Sequence, residues 1–292
     1  MKKILVPTDF SPYSHNALKI AIQFARKTDA EITVLHVIPP VLSDLLAPDT
    51  ARRAEVSNLE HEYIRGIHEF ARQELEKVIA HENYPINKIH IYVEGGIIPQ
   101  SITQLAEEIQ VDLIIMGTQG TNPIEEIFVG SNTEKVVRMA SCPVLAVRDK
   151  HQNFILAKIL FATDLKQAQP AAMTFIRKLQ RLFDGEIHLL YINSAFGFLS
   201  SEEIERRKEH FVLAAKLDNY HFHIVNAKTE EAGILVTAQK IDADLIALTT
   251  HQRRGLAHFF LGSTAEDIVN HANRPVLTLG TKMEEKLMRN EE

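Results

Sequence analysis

Three glycines set in two short words, Gly117-Thr118-Gln119-Gly120 and Gly130-Ser131-Asn132-Thr133, form the stretch best suited to chemistry in this chain. The chemistry is anion binding. The apolar run Asp112-Leu113-Ile114-Ile115-Met116 precedes them and predicts a buried strand, and Ser131 to Met139 predicts a helix. The first N–H groups of a helix have no intrahelical partners, and the helix dipole favours negative charge there. Glycines admit positive φ and let the backbone approach a phosphate with no Cβ in the way. The same residues also serve structure alone. Ser131 with Glu134 three residues on makes a capping box, and Gly117 and Gly120 suit ordinary turns. A glycine pair by itself is a weak motif.

Other reactive residues carry less. Asp9 follows the first apolar run, with Ser11 and Ser14 close by, but no G-x-S-x-G elbow surrounds them and helix initiation explains the serines. His221 and His223 share one face of a strand. No Cys or His cluster with zinc spacing accompanies them, so they read as a surface or half-buried pair. Arg253, Arg254 and His258 read as a solvated loop, with a regulatory anion site as the alternative. Cys142, before Pro143 and an apolar run, reads as a buried thiol. There is no Walker A motif.

The elements that must position the glycines follow from periodicity. Lys3 to Thr8 is a short buried strand, and Ser14 to Lys27 a helix with Ala17, Ile20, Ala21, Phe24 and Ala25 at helical spacing. Glu31 to Ile38 is a second strand, ended by Pro39-Pro40 and followed by a polar stretch to about Asp49. Ala54 to Ala80 predicts a long amphipathic helix with Leu59, Tyr63, Ile67, Phe70, Leu75 and Val78 on its apolar side. Ile89 to Val93 is a strand, Pro99 to Ile109 a helix, and Val111 to Met116 and Pro143 to Val147 are strands. This alternation predicts βαβ crossovers and a parallel sheet.

The order then repeats. Ile159 to Thr163 and Asp164 parallel Ile4 to Thr8 and Asp9, and Glu186 to Ile192 parallels Glu31 to Val37, both at an offset of 155. Asp244-Leu245-Ile246 matches Asp112-Leu113-Ile114, and Gly262-Ser263 matches Gly130-Ser131, at an offset of 132. The second copy has therefore lost 23 residues, most naturally from the loop and long helix after its second strand. Repeats of this length are whole domains. We expect residues 1–149 and 154–282 as two domains, with 283–292 a charged tail. Where Gly117 and Gly120 stand in the first copy, the second has Thr249 and Gln252, whereas Gly262, Ser263 and Glu266 persist. The persisting residues are those the capping reading needs, and the lost glycines are those a ligand needs.

Bulk properties narrow the function classes. The 292 residues suit two domains, each able to bury a core without staples. The net charge of −6 gives no support for nucleic-acid binding. One cysteine excludes an internal disulfide and suits a reducing compartment. The apolar run after Met1-Lys2-Lys3 is too short for a signal peptide, and no stretch approaches a membrane span. The expectation is a cytoplasmic protein without membrane or nucleic-acid partners.

Taken together, Val6-Pro7-Thr8-Asp9-Phe10-Ser11, Val34-Leu35-His36-Val37, the G-x2-G-x9-G-S spacing, and Ser141-Cys142-Pro143-Val144-Leu145-Ala146-Val147 resemble the universal stress protein family in its tandem form. In the second half the corresponding words are Gln252-Arg253-Arg254-Gly255-Leu256-Ala257-His258 and Arg274-Pro275-Val276-Leu277. The resemblance implies α/β architecture: two tandem adenine-nucleotide-hydrolase-like (Rossmann-like) domains, each a five-stranded parallel sheet flanked by helices. It implies an ATP site in which Asp9, with Thr8 beside it, lies near the ribose or phosphates and a magnesium ion. Val37 then contacts adenine, and Gly117, Gly120, Gly130, Ser131, Asn132 and Thr133 cradle the phosphates, next to Met116. It also implies that the domains pair through their fifth strands, here within one chain as a pseudo-dimer; further pairing into a homodimer is left open. Asn132, and Glu125 with Glu126, depart from the family pattern.

Three readings follow. One is a nucleotide-binding stress-response or regulatory protein with one competent site in the first half. The second is a slow ATP hydrolase, disfavoured because no residue but Asp9 stands as a general base. The third is an interaction scaffold that binds no nucleotide.

Overall fold

The computed structural model describes residues 1–39, 84–118, 131–148, 154–166, 170–194, 198–250 and 263–280, with most positions of 62–80. Gly120, Gly130, Glu125, Glu126, Gln252, the basic residues Arg253, Arg254 and His258, the linker at 149–153 and the tail at 283–292 lie outside the described residues.

The first half runs β1 (Lys3–Pro7), α1 (Pro12–Thr28), β2 (Glu31–Ile38), α2 (helical residues between 62 and 80), β3 (Ile89–Gly95), α3 (Ile98–Glu108), β4 (Leu113–Gly117), α4 (Ser131–Met139) and β5 (Val144–Val147). The second runs β6 (Lys158–Ala162), α5 (Pro170–Phe183), β7 (Glu186–Ser194), α6 (Ser201–Ala215), β8 (Tyr220–Ala227), α7 (Glu230–Lys240), β9 (Leu245–Thr250), α8 (Ser263–His271) and β10 (Val276–Gly280). The shortening falls where expected: α6 lies between β7 and β8, a shorter stretch of chain than that between β2 and β3.

All ten strands join one sheet in the order β3-β2-β1-β4-β5-β10-β9-β6-β7-β8. Neighbours are parallel within each half, and β5 meets β10 antiparallel, with Leu145 opposite Leu277. The two expected five-stranded parallel sheets are thus the halves of one mixed sheet, joined through their fifth strands. The central strands are apolar throughout because helices cover both faces. On one face a continuous core runs from Ile4, Val6 and Phe24 to Phe161 and Ile176, and Phe24 meets Phe154 and Phe183 at centroid distances of 5.6 and 4.9 Å. On the other face each half has its own core, Leu5, Ile102, Met116 and Val136 in the first and Leu160, Ile234, Leu248 and Ile268 in the second.

Local signals explain the helix ends. Ser11 caps α1, its Oγ accepting from Ser14 N–H at 3.2 Å, with Pro12 pre-set at the first position. Asp29 ends the helix in the left-handed region, at φ 58°. One expectation is revised at α2. Tyr63 and Phe70, expected on its apolar side, are 56% and 48% exposed. A cleft of about 650 Å³ separates His68, Glu69, Arg72 and Glu76 of this helix from Ile89 to Tyr92 of the edge strand β3, so α2 stands away from the sheet.

The halves also meet helix to helix, reciprocally. Glu134 of α4 accepts from Asn270 of α8 at 2.9 Å, and Glu266 of α8 accepts from Arg138 of α4 at 2.9 and 2.6 Å. Residues 134 and 138 are the counterparts of 266 and 270, so this is the i-to-j, j-to-i pattern of a two-fold interface inside one chain. It gives the two glutamates a purpose other than the capping box: their carboxylates are turned to the junction.

Candidate functional site

The carboxyl ends of β1, β2 and β4 surround a cavity of about 130 Å³, closed by the first turns of α3 and α4. This is the switch point of the first sheet half. β1 lies between β2 and β4, and the chain leaves β1 and β4 toward opposite faces, opening a crevice beyond the strand ends. Pro7, Leu35, Val37, Ile98, Ile102 and Met116 give it apolar walls. Thr8, Asp9, Ser14, His36, Gly117, Thr118, Asn132 and Thr133 supply its polar rim.

Of the residues expected at a nucleotide site, Thr8, Asp9, Val37, Met116, Gly117, Asn132 and Thr133 are brought together. Ser131 opens α4 with an exposed side chain and is not among the residues lining the cavity. Ser14, His36, Ile98, Ile102 and Thr118 were not foreseen. Ile98 and Ile102 are four apart on α3 and read as ordinary core. His36 precedes Val37 at a strand end, and its Nδ1 lies 2.8 Å from Thr8 O, tying the ends of β2 and β1 together.

The turn from β1 into α1 is tightly tied. Thr8 Oγ1 accepts from Phe10 N–H and donates to Ser14 Oγ, both at 3.1 Å, while Asp9 Oδ1 accepts from Ser11 N–H at 3.0 Å. Phe10 is held at φ 61°, a conformation costing a bulky residue on the order of 1–3 kcal/mol. Its ring packs 4.7 Å from His36 and 5.3 Å from Phe70. The second half repeats the device: Thr163 accepts from Leu165 N–H, Asp164 accepts from Lys166 N–H, and Leu165 sits at φ 56°. The turn is therefore a property of the fold. The two halves diverge at the next residue, where Ser11 is replaced by Lys166, whose Nζ lies 3.4 Å from Asp164 Oδ2. The second half compensates its own carboxylate.

Gly117 is explained differently from the expectation. It is the last residue of β4, paired with Val147, and its φ lies outside the left-handed region. What demands glycine is crowding: a Cβ there would stand 2.9 Å from both the carbonyl carbon and Cβ of Tyr13. Thr249, its counterpart, is likewise a strand residue, paired with Leu279, where β-branching is favourable. Thr133 is also engaged, its Oγ1 donating to Gly117 O at 3.1 Å and binding α4 to the end of β4. Beside the site, burial holds the His15 imidazole below its ordinary range against the opposing pull of Glu74 and Asp9, and its Nε2 is buried without a hydrogen-bond partner among the described residues.

Comparison with known proteins places this geometry. A family model described as the universal stress protein family matches residues 1–148 and again 156–279. Two universal stress proteins of Methanocaldococcus jannaschii are 35% and 33% identical to about half of the chain, over 82% and 96% of their own lengths. Among solved structures, a universal stress protein from Archaeoglobus fulgidus superposes with a TM-score of 0.68 at 22% identity, covering 96% of this chain and 98% of that one. A second, from Pseudomonas aeruginosa, gives 0.68 at 20% identity, covering 99% and 97%. At these identities the two structures speak for the fold alone.

Proposed function

The chain belongs to the universal stress protein family, and we propose that its first half binds an adenine nucleotide, ATP, as a regulatory ligand, while its second half has given up that role. The observation that carries this reading is the meeting of Asp9, Val37, Met116, Asn132 and Thr133 around one crevice at the switch point of the first half. Val37, Ile98, Ile102 and Met116 offer an apolar slot suited to a flat base, and the polar rim suits ribose and phosphate. The cavity is smaller than the roughly 300–1,000 Å³ typical of whole small-molecule ligands, so it suits a portion of the nucleotide. Asp9 is the one acidic residue among the described residues lining it. A single carboxylate beside phosphates is a common setting for Mg²⁺, which keeps most of its waters.

We read the ligand as regulatory: Asp9 Oδ1 accepts from Ser11 N–H, His36 Nδ1 is held at Thr8 O and Thr133 Oγ1 donates to Gly117 O, so these three atoms fix the walls of the crevice. A ligand that binds only the folded state stabilises it by mass action.

The test is calorimetric titration of the whole chain with MgATP. We expect one nucleotide per chain at roughly micromolar strength, about −8 kcal/mol. Asn132→Asp, which sets a carboxylate against the phosphates, should weaken binding, and Thr264→Asp at the equivalent place in the second half should not. No binding at millimolar ATP overturns the nucleotide reading. Two nucleotides per chain overturn the inactive second half.

A further inference from the structure

At the outer end of the second half, far from the crevice, β7 and β8 bring four titratable side chains onto one sheet face. Pairing sets His188 directly beside His221 and Leu190 beside His223. Glu186, two residues before His188, points to the same face. Glu186 Oε2 lies 3.5 Å from His188 Nε2 and 3.7 Å from His221 Nε2, and one ligand atom from each of the three residues lies within 4.8 Å of the other two.

The inner imidazole is only 7% exposed. Its Nδ1 is 3.0 Å from His223 Nε2, and its Nε2, 3.5 Å from Glu186 Oε2, has no hydrogen-bond partner among the described residues. In the tautomer whose Nδ1–H donates to His223, the Nε2 lone pair faces the Glu186 carboxylate oxygen, and a cation between them would take both lone pairs.

We infer that Glu186, His188 and His221 form a binding site for a zinc-class divalent cation, with His223 orienting His188 from behind and one coordination position open to solvent. Two imidazole nitrogens and one carboxylate are a known ligand set for zinc with an open position. Bonds of about 2.0–2.1 Å at tetrahedral angles place ligand atoms roughly 3.3–3.4 Å apart. The observed 3.5 and 3.7 Å are already close to that. The remaining adjustment falls on Glu186 and His221, whose side chains are each 56% exposed and free to turn, while buried His188 stays fixed. His223 Nε2 takes the place that a carboxylate, carbonyl or water commonly has in setting the tautomer of a metal-bound histidine.

The first half supplies an internal control. At the corresponding places it has Glu31, Thr33, His90 and Tyr92. Glu31 and His90 approach to 3.9 Å, but the buried imidazole and its orienting partner are missing. Bound zinc in the second half would clamp the edge strand β8 to β7.

The test uses the full chain, stripped with a chelator, titrated with zinc chloride against a chromophoric competitor, and reloaded with cobalt(II) for its visible spectrum. We expect one strong equivalent per chain, a tetrahedral cobalt spectrum, and a melting temperature that rises with zinc. His221→Ala and Glu186→Gln change exposed side chains, so the fold is kept, and each should weaken binding at least tenfold. His223→Gln should weaken it about 10- to 100-fold, as loss of an orienting partner does. His90→Ala should change nothing. Equal zinc affinity in wild type and His221→Ala, or loss of the strong equivalent in His90→Ala, overturns the assignment.

Discussion

Adding one methyl group at Gly117 separates two explanations for that glycine. The added Cβ would stand 2.9 Å from two carbon atoms of Tyr13 and 3.1 Å from its carbonyl oxygen. Carbon atoms in good contact are about 3.5–4.0 Å apart, so something must move by roughly 0.6 Å or more. Two of the three crowded atoms belong to the backbone of the first turn of α1, which cannot swing aside as a side-chain tip would. That turn is fixed by Pro12 and the Ser11 cap, and followed by buried Ala17, Leu18 and Ile20. Overpacking of this kind costs about 1–3 kcal/mol. We therefore expect Gly117→Ala to lose about that much stability in nucleotide-free buffer, at about 2–4 °C of melting temperature per kcal/mol. The assay is urea unfolding followed by far-ultraviolet circular dichroism, since the chain contains no tryptophan. Hydrogen exchange at the start of α1 should accelerate in parallel. An unfolding midpoint equal to wild type would refute the packing argument and return the glycine to the ligand alone. The same reasoning makes Gly117 a poor probe of nucleotide binding, because its replacement moves α1 and Ser14 of the rim together.

Two further outcomes follow from the same region. Thr133→Val keeps the shape but removes the hydroxyl that holds Gly117 O, and should cost about 1–2 kcal/mol in the same unfolding assay, whereas Ser131→Ala, at an exposed position, should cost far less. Because burial depresses the His15 pKa in the folded state, the unfolded chain takes up that proton first as pH falls from its ordinary 6.5. The contribution of neutral His15 is present above pH 6.5 and lost below it as pH falls toward the depressed value, so His15→Gln should flatten the decline of the urea midpoint across that interval.

The sequence displayed the framework because a buried strand or an amphipathic helix must show its period. Glu31–Ile38 and Ser131–Met139 run over the expected spans, and the strand starting at Ile89 is longer only at its end. The repeat was legible for the same reason. What stayed hidden depended on distances between segments far apart in the chain. Nothing local to Gly117 announces Tyr13, and nothing local to Glu134 or Glu266 announces Asn270 or Arg138. His221 and His223 were visible as a pair, but His188 became their neighbour only once the register of β7 on β8 was fixed. The exposure of Tyr63 and Phe70 on α2 was not legible, because periodicity says which residues share a face, and not whether that face reaches the sheet.

The two copies act as each other's controls, and that comparison reassigns several roles. Features present in both, the Asp9 and Asp164 turns, the left-handed Phe10 and Leu165, and the glutamates turned to the α4–α8 junction, belong to the fold and to the pairing of its halves. Features in only one copy are where function has room to differ. The first half has Ser11 after Asp9 and Gly117 at the crevice, and the second has Lys166 against Asp164 and Thr249 in the strand. The second half in turn has His188 and His223 where the first has Thr33 and Tyr92. The divergence therefore runs in both directions: the crevice proposed for a nucleotide lies at the strand carboxyl ends of one copy, and the site proposed for a cation at the opposite end of the other.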